Sequence, residues 1–292
     1  MSDSAHPTIF VTGASGHLGR LVIAALLERV PAGAVVAGVR SLESEAAESL
    51  RDRGVAMRVA DYARPETLAE AFRGIDRLLL ISSSEVGQRV AQHRNVIAAA
   101  TAAGVGRLVY TSLLHADTSP ISLAEEHRAT EAAIAGSNLP ATILRNGWYT
   151  ENYTASIPGA LAGGAFLGSA GAGRIALAAR ADYAAAAALV LSGDGHEGRT
   201  YELAGDEAYT LADFAAELSR QTGRDIPYRD LPQAEYAALL KGFGLPEALS
   251  EGLAAWDVDA AHGALFDEGR QLSTLIGRPT TPLSASIAAA LG

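Results

Sequence analysis

From residue 8 to residue 146 the chain alternates short apolar runs with stretches whose apolar residues recur at helical spacing. The runs Thr8–Thr12, Ala34–Val39, Ala56–Val59, Arg77–Ser82, Arg107–Thr111 and Ala141–Leu144 read as strands. Helical patterns lie between them; Arg89–Ala103, closed by Gly104 and Gly106, is one. This alternation predicts βαβ units, and right-handed crossovers build such units into a doubly wound parallel sheet. After Asn146 the alternation fails. Pro158–Arg174 is rich in glycine and alanine without a clear period, and Gly168–Gly173 within it reads as a turn. A helix over Ala181–Leu191 and a strand over Thr200–Leu203 return to the main sheet. From Leu211 the pattern is mostly helical: Leu211–Thr222, Gln233–Lys241, Pro246–Asp257 and Ser284–Leu291. Leu211, Phe214, Leu218 and Leu239 are core positions of a smaller lobe that shapes a substrate pocket.

The first strand runs into Gly13-Ala14-Ser15-Gly16-His17-Leu18-Gly19, and Leu21, Val22, Ala25 and Leu26 follow at i, i+3, i+4 spacing. Strand, glycine loop and helix together make a dinucleotide fingerprint. Gly13 permits the tight turn, Gly16 lets backbone approach a pyrophosphate, and Gly19 lets the helix pack close to the sheet. All seven residues, 13 to 19, are expected to hold the cofactor. The fold expected is therefore α/β: a Rossmann-type doubly wound parallel sheet with a smaller, mostly helical C-terminal lobe. Residues 1–147 with 176–204 form the nucleotide-binding domain, and 148–175 with 205–292 the smaller lobe.

Composition narrows the function. At 292 residues the chain buries a real core. No run of eighteen apolar residues exists, which excludes a membrane-spanning helix. Met1–Pro7 is polar and short and carries no signal peptide. With no cysteine there is no disulfide, no thiolate chemistry and no cysteine-held metal, which agrees with a cytoplasmic protein. A net charge of −10 argues against nucleic acid as a partner. The histidines show no ligand spacing, so no metal site is expected. The aromatic content and helix faces permit a homodimer without arguing for one.

Candidate chemistry gathers at the ends of the strands. Arg40, after the second strand, offers a planar fork to a 2′-phosphate where an NAD-selective site places an acid, so NADPH is favoured over NADH. Asp61 stands where an acid faces the adenine amino group, or else caps a loop. Ser82, Ser83 and Ser84 lie where the cofactor's ribose and nicotinamide pass, although some of them can cap the next helix. Thr111 and Ser112 end the fifth strand, with His115 near. Arg145-Asn146-Gly147-Trp148-Tyr149-Thr150-Glu151-Asn152-Tyr153 is dense in recognition groups. Asn146, Gly147, Trp148 and Tyr149 are cofactor-site candidates, Asn146 for the nicotinamide carboxamide or a substrate oxygen. The rings of Trp148 and Tyr149 either sandwich an aromatic substrate or fill the seam between lobes. Asp182 reads as a helix cap or first-turn acid.

Lys241 is the only lysine, and Ala237 precedes it by four, so a Tyr-x-x-x-Lys pair is absent everywhere. His127 falls where that lysine would be and Leu123 where the tyrosine would. His127 is a candidate to bond a ribose or give a proton; otherwise it pairs with Glu131 on a solvated helix face.

With these stretches in view, the chain resembles the type 2 NADPH:quinone oxidoreductases, an NmrA-like group of atypical short-chain dehydrogenases/reductases. The likeness rests on Gly13-x-x-Gly16-x-x-Gly19 and on Ile81-Ser82-Ser83-Ser84-Glu85-Val86-Gly87-Gln88. It extends through Thr111–Pro120, Arg145–Tyr149, Glu151–Tyr153 and Arg180–Ala187, and so covers nearly the whole chain. It implies NADPH as cofactor, a quinone as substrate, no flavin, and a family that itself lacks the Tyr–Lys pair. A quinone ring between the nicotinamide and residues 146–149 would take hydrogen bonds from Asn146 and Tyr149. Two other readings stay open: an NmrA-like non-catalytic NADP(H) sensor, and a reductase or isomerase of another small molecule.

Overall fold

The computed structural model describes residues 6–292. Met1–Ala5, most of the segment read above as carrying no signal peptide, lies outside them. Among the described residues nine strands are formed: β1 Ile9–Val11, β2 Val35–Val39, β3 Ala56–Val59, β4 Arg77–Leu80, β5 Arg107–Leu113, β6 Ala141–Asn146, β7 Phe166–Gly168, β8 Thr200–Leu203 and β9 Tyr228–Asp230. Seven of them make one sheet in the order β3-β2-β1-β4-β5-β6-β8. β1 lies parallel to β2 on one side and to β4 on the other. The expected doubly wound sheet is therefore present. β5 and β6 run two residues further than their apolar runs indicate, which places Ser112 and Asn146 on strands.

The described residues fall into two compact units. The first runs through Ala116 and adds 125–145 and 183–201. β1 and β2 are buried at every position, because helices cover both faces of a parallel sheet. On one face Phe10, Phe72, Leu68, Leu78, Val96, Ile97, Leu108 and Tyr110 form a continuous core. Phe10 meets Phe72 edge-on at 5.2 Å between centroids. It also takes up the room a side chain on Gly38 would need, since a Cβ there would lie 2.5 Å from its ring. The helix Arg89–Ala103 has the predicted bounds and ends on left-handed Gly104.

The second unit comprises 117–124, 146–182 and 202–292. Thr210 and Asp213 form a capping box at the start of the helix Leu211–Thr222, and Gly223 ends it. Phe166 and Phe214 pack at 4.7 Å. The aperiodic stretch is not loop throughout. It contains the helix Ile157–Gly163 and then β7, which pairs in parallel with β9. Gly168 belongs to that strand, and a Cβ there would lie 2.7 Å from Leu211 and 2.9 Å from the Asp257 carboxylate. Asp182 does more than start a helix. It is fully buried, accepts from the Thr281 N–H at 2.8 Å and pairs with Arg278 at 2.7 Å. No helix among the described residues is long and apolar enough to cross a membrane.

Candidate nucleotide site and the 146–153 segment

At β1 the chain connections diverge to the two sides of the sheet, so a crevice opens at the carboxyl ends of the strands. A cavity of about 400 Å³ lies there, walled by the loop after β1, the ends of β2 and β3, and the loop after β4. The three glycines of the first loop serve different needs. Gly13 has φ +56°, where a side chain is strained. A Cβ on Gly19 would lie 2.3 Å from the Gly13 carbonyl oxygen and 2.8 Å from the Ala14 Cα. That contact sets how closely the helix His17–Leu27 approaches the loop. Gly16 is its N-cap and offers no capping side chain. First-turn N–H groups have no intrahelical acceptor, and the positive end of the helix favours an anion.

Of the residues singled out by sequence, Gly13, Ser15, Gly16, His17, Leu18, Gly19, Arg40, Asp61, Ser82, Ser83 and Ser84 line this cavity. Ala14 does not. It is fully buried and its N–H donates to the Gly38 carbonyl, tying the loop to β2. Thr111 is also buried, and its hydroxyl oxygen accepts from the Ser82 N–H at 2.9 Å. Asp61 faces the cavity and caps its own turn, accepting from the Ala63 N–H at 3.0 Å. Sequence reasoning passed over Tyr62 and Gln92. Tyr62 follows Asp61 directly; its hydroxyl donates to the Ile81 carbonyl at 2.8 Å and touches Thr12 Oγ1.

The loop after β4 is held from behind by buried polar groups. Arg89 is 5% exposed; it donates to the Ser83 carbonyl at 2.8 Å and pairs with Glu126 at 3.1 Å. Glu126 also accepts from the Gly87 N–H. The Ser83 N–H donates to His93 Nε2 at 2.9 Å, so Nδ1 carries the proton and donates to Thr130 Oγ1. Burial, with Arg89 adding to it, lowers the pKa of His93 to about 3.

His127 does not lie on a solvated helix face and does not pair with Glu131. It is 5% exposed, with Nδ1 2.7 Å from the Tyr110 hydroxyl. Burial and the Arg89 charge lower its pKa to about 3, so the ring is neutral near pH 7. Glu131 instead binds Arg145 through Nε and Nη2 and accepts the Ser112 hydroxyl. His115 adopts left-handed backbone, with φ +52°.

In the second unit, Asn146 is 4% exposed, and its Oδ1 has no partner among the described residues. Its Nδ2 donates to the Tyr149 hydroxyl at 3.4 Å, a weak bond. The Tyr149 ring lies under the Arg180 guanidinium, 4.7 Å from its centroid, and burial raises the phenol's pKa. Glu151 holds Arg180 by accepting its N–H through both oxygens at 3.0 Å. Trp148 packs edge-on against Trp256 at 6.0 Å. Gly147 pins the segment through its N–H to the Leu203 carbonyl at 2.7 Å. An unpaired buried amide oxygen beside a phenol is a polar site with spare bonding capacity. Among the described residues no cluster of histidine and carboxylate groups could hold a metal.

Residues 5–260 match the model of the NmrA-like family. Quinone oxidoreductase 2 of Escherichia coli (strain K12) is 55% identical over 279 residues, spanning 96% of this chain and 97% of that protein. The crystal structure of NADPH-dependent quinone oxidoreductase from E. coli complexed with NADPH has a TM-score of 0.94 and 54% identity, over 97% of this chain and 100% of that one. The Citrobacter sp. triphenylmethane reductase complexed with NADP(H) has a TM-score of 0.92 and 38% identity, over 97% and 99%.

Gly19→Ala is expected to destabilise the fold by about 1–3 kcal/mol, because the Gly13 carbonyl and the Ala14 backbone must move; urea unfolding measures it. Acid should weaken the fold through its buried histidines. Their native pKa lies below the unfolded value near 6.5, so their stabilisation is full above that pH and is lost as pH falls. Each contributes a loss of about 2 kcal/mol between pH 7 and pH 5. Asp257, raised to about 6 by burial, acts in the opposite direction. The unfolding free energy of His127→Gln should therefore fall by about 2 kcal/mol less than the parent's over that interval.

Proposed function

The chain belongs to the NmrA-like family, and on that premise we propose that it reduces quinones with NADPH, without a flavin, in the cytoplasm. One observation carries the reading. A dinucleotide cradle is present, yet the helix that would supply a Tyr–Lys pair places half-buried Leu123 and buried, neutral His127 there. That helix therefore offers the acceptor no Tyr–Lys proton relay, which suits an acceptor that needs none. Ketone reduction does need one, because the alkoxide formed is a strong base. A quinone ring is electron-poor, and the anion it becomes is delocalised and takes its proton from water. The E. coli relative of 55% identity is a quinone oxidoreductase, which supports the same acceptor.

The residues present fit NADPH. The backbone cradle at 13–19 leaves no room for a Cβ on Gly19 and suits a pyrophosphate, and Arg40 adds a cation at the rim. NADPH supplies a hydride when bound. Arg40 reads its 2′-phosphate, Asp61 the adenine, and Ser82 and Ser83 line the way to the ribose. Asn146 offers the unpartnered Oδ1 as acceptor and Nδ2 as donor. Tyr149, kept protonated by burial, donates together with Asn146 to the quinone oxygen that gains charge. Positioning and hydrogen bonding then suffice.

The purified protein should oxidise NADPH in the presence of benzo- and naphthoquinones, and NADH far more slowly. Tight NADPH binding with no turnover on any quinone would replace this reading with that of a redox sensor. Arg40→Gln should weaken NADPH by roughly tenfold to a hundredfold, the loss of one charge-assisted bond, and leave NADH unchanged in a binding titration. Replacing Asn146 by Leu and Tyr149 by Phe together should lower kcat/KM for the quinone by at least about tenfold, with NADPH affinity less affected. Unchanged turnover would remove both residues from the reaction.

A further inference from the structure

Arg40 is not alone at the cavity mouth. Its Nη1 lies 3.7 Å from Glu85 Oε1, and both residues line the cavity. Arg40 follows β2 and Glu85 sits in the loop after β4, two walls that β1 separates in the sheet. Glu85 is held in this position. Its Oε2 accepts from Gln92 Nε2 at 2.8 Å, and Gln92 is 7% exposed. Gln92 Oε1 in turn accepts the Ser83 hydroxyl, and the Glu85 N–H donates to Ser83 Oγ at 3.2 Å. A buried amide thus aims a carboxylate across the cleft at the guanidinium best placed for the 2′-phosphate.

We propose that Glu85 sets the cofactor preference by competing with the 2′-phosphate for Arg40. The inference rests on the assignment of NADPH and Arg40 above, and on nothing about the quinone. A carboxylate and a phosphate are both anions, so a seated 2′-phosphate must displace Glu85 or share the guanidinium against repulsion. The 2′-hydroxyl of NADH carries no charge and can donate to the same carboxylate. Glu85 therefore penalises the phosphorylated cofactor alone. It makes NADPH binding looser than Arg40 alone would allow, and the oxidised product leaves more readily. The pair is well exposed, 76% for Arg40 and 52% for Glu85, so the effect is modest, a factor of about 1.5 to 5 in an equilibrium constant.

The test uses adenosine 2′,5′-bisphosphate and ADP as probes, each titrated calorimetrically into the full chain. Neither contains nicotinamide, so the readout is independent of turnover. Glu85→Gln should bind the 2′,5′-bisphosphate about 1.5- to fivefold more tightly than the parent and ADP equally. Glu85→Asp, too short to span the gap, should fall between Glu85→Gln and the parent. In an Arg40→Gln background the gain should vanish. Unchanged bisphosphate affinity in Glu85→Gln overturns the proposal, as does an equal gain for ADP or a gain that persists without Arg40. If Arg40→Gln alone leaves bisphosphate binding intact, the assignment of Arg40 fails and the proposal with it. A failure at Glu85 alone leaves that assignment standing.

Discussion

The nucleotide site depends on one close approach, that of Gly19 to the Gly13 carbonyl. A single Cβ at residue 19 would come within 2.3 Å of that oxygen, so the helix can sit against the loop only because this position has no side chain. The approach fixes where the first-turn N–H groups stand relative to the end of β1. Thr12 ties that end to β4, donating through its hydroxyl to the Leu79 carbonyl at 2.8 Å and accepting from the Ile81 N–H at 3.0 Å. The walls of the crevice are thus bound to each other before any ligand arrives, and the ligand meets donors already in place.

The second wall is held by charges that have left water. Arg89 and Glu126 would each be costly to bury alone, and removing one partner of such a pair costs about 3–5 kcal/mol. Together they clamp Ser83 and Gly87, and His93 takes the remaining N–H of Ser83. The helix Leu123–Ala135 therefore has a different task from the one its place in short-chain reductases suggests. Glu126, His127 and Thr130 face inward as structural groups, and Glu131 locks Arg145 and Ser112.

The doubly wound sheet, the glycine cradle and most of the cavity lining were legible in the sequence, because each has a local signature. Strands buried on both faces read as apolar runs, and the glycines read by their spacing. Two things were not legible. β7 and β9 have three residues each, too few to show a two-residue period, and glycine-rich chain surrounds Gly168. The fate of single polar side chains was also hidden. Thr111, Ser112 and His127 are the right residue types near the right strand ends, yet partners 17 to 29 positions away decide that they bond to protein. Tyr62 and Gln92 failed to stand out because neither belongs to a motif: Tyr62 meets residues 12 and 81 only once the strands are assembled, and Gln92 meets residues 83 and 85 only through the fold of the loop after β4.

Neutral buried histidines and a lysine used up at the surface both suit the acceptor chemistry proposed above. Lys241, the only lysine, is spent on Glu247 and Glu251. A reductase that must deliver a proton keeps an ionisable group exposed to its substrate, and that group then limits the pH range and the packing around it. An acceptor whose product anion is delocalised removes that need. The positions freed can be packed dry, and dry packing is what lets Arg89, Glu126 and His93 fix the loop after β4. Two exposed charges stand on the rim, Arg40 and Glu85, and the buried amide of Gln92 ties Glu85 to the packed wall behind it.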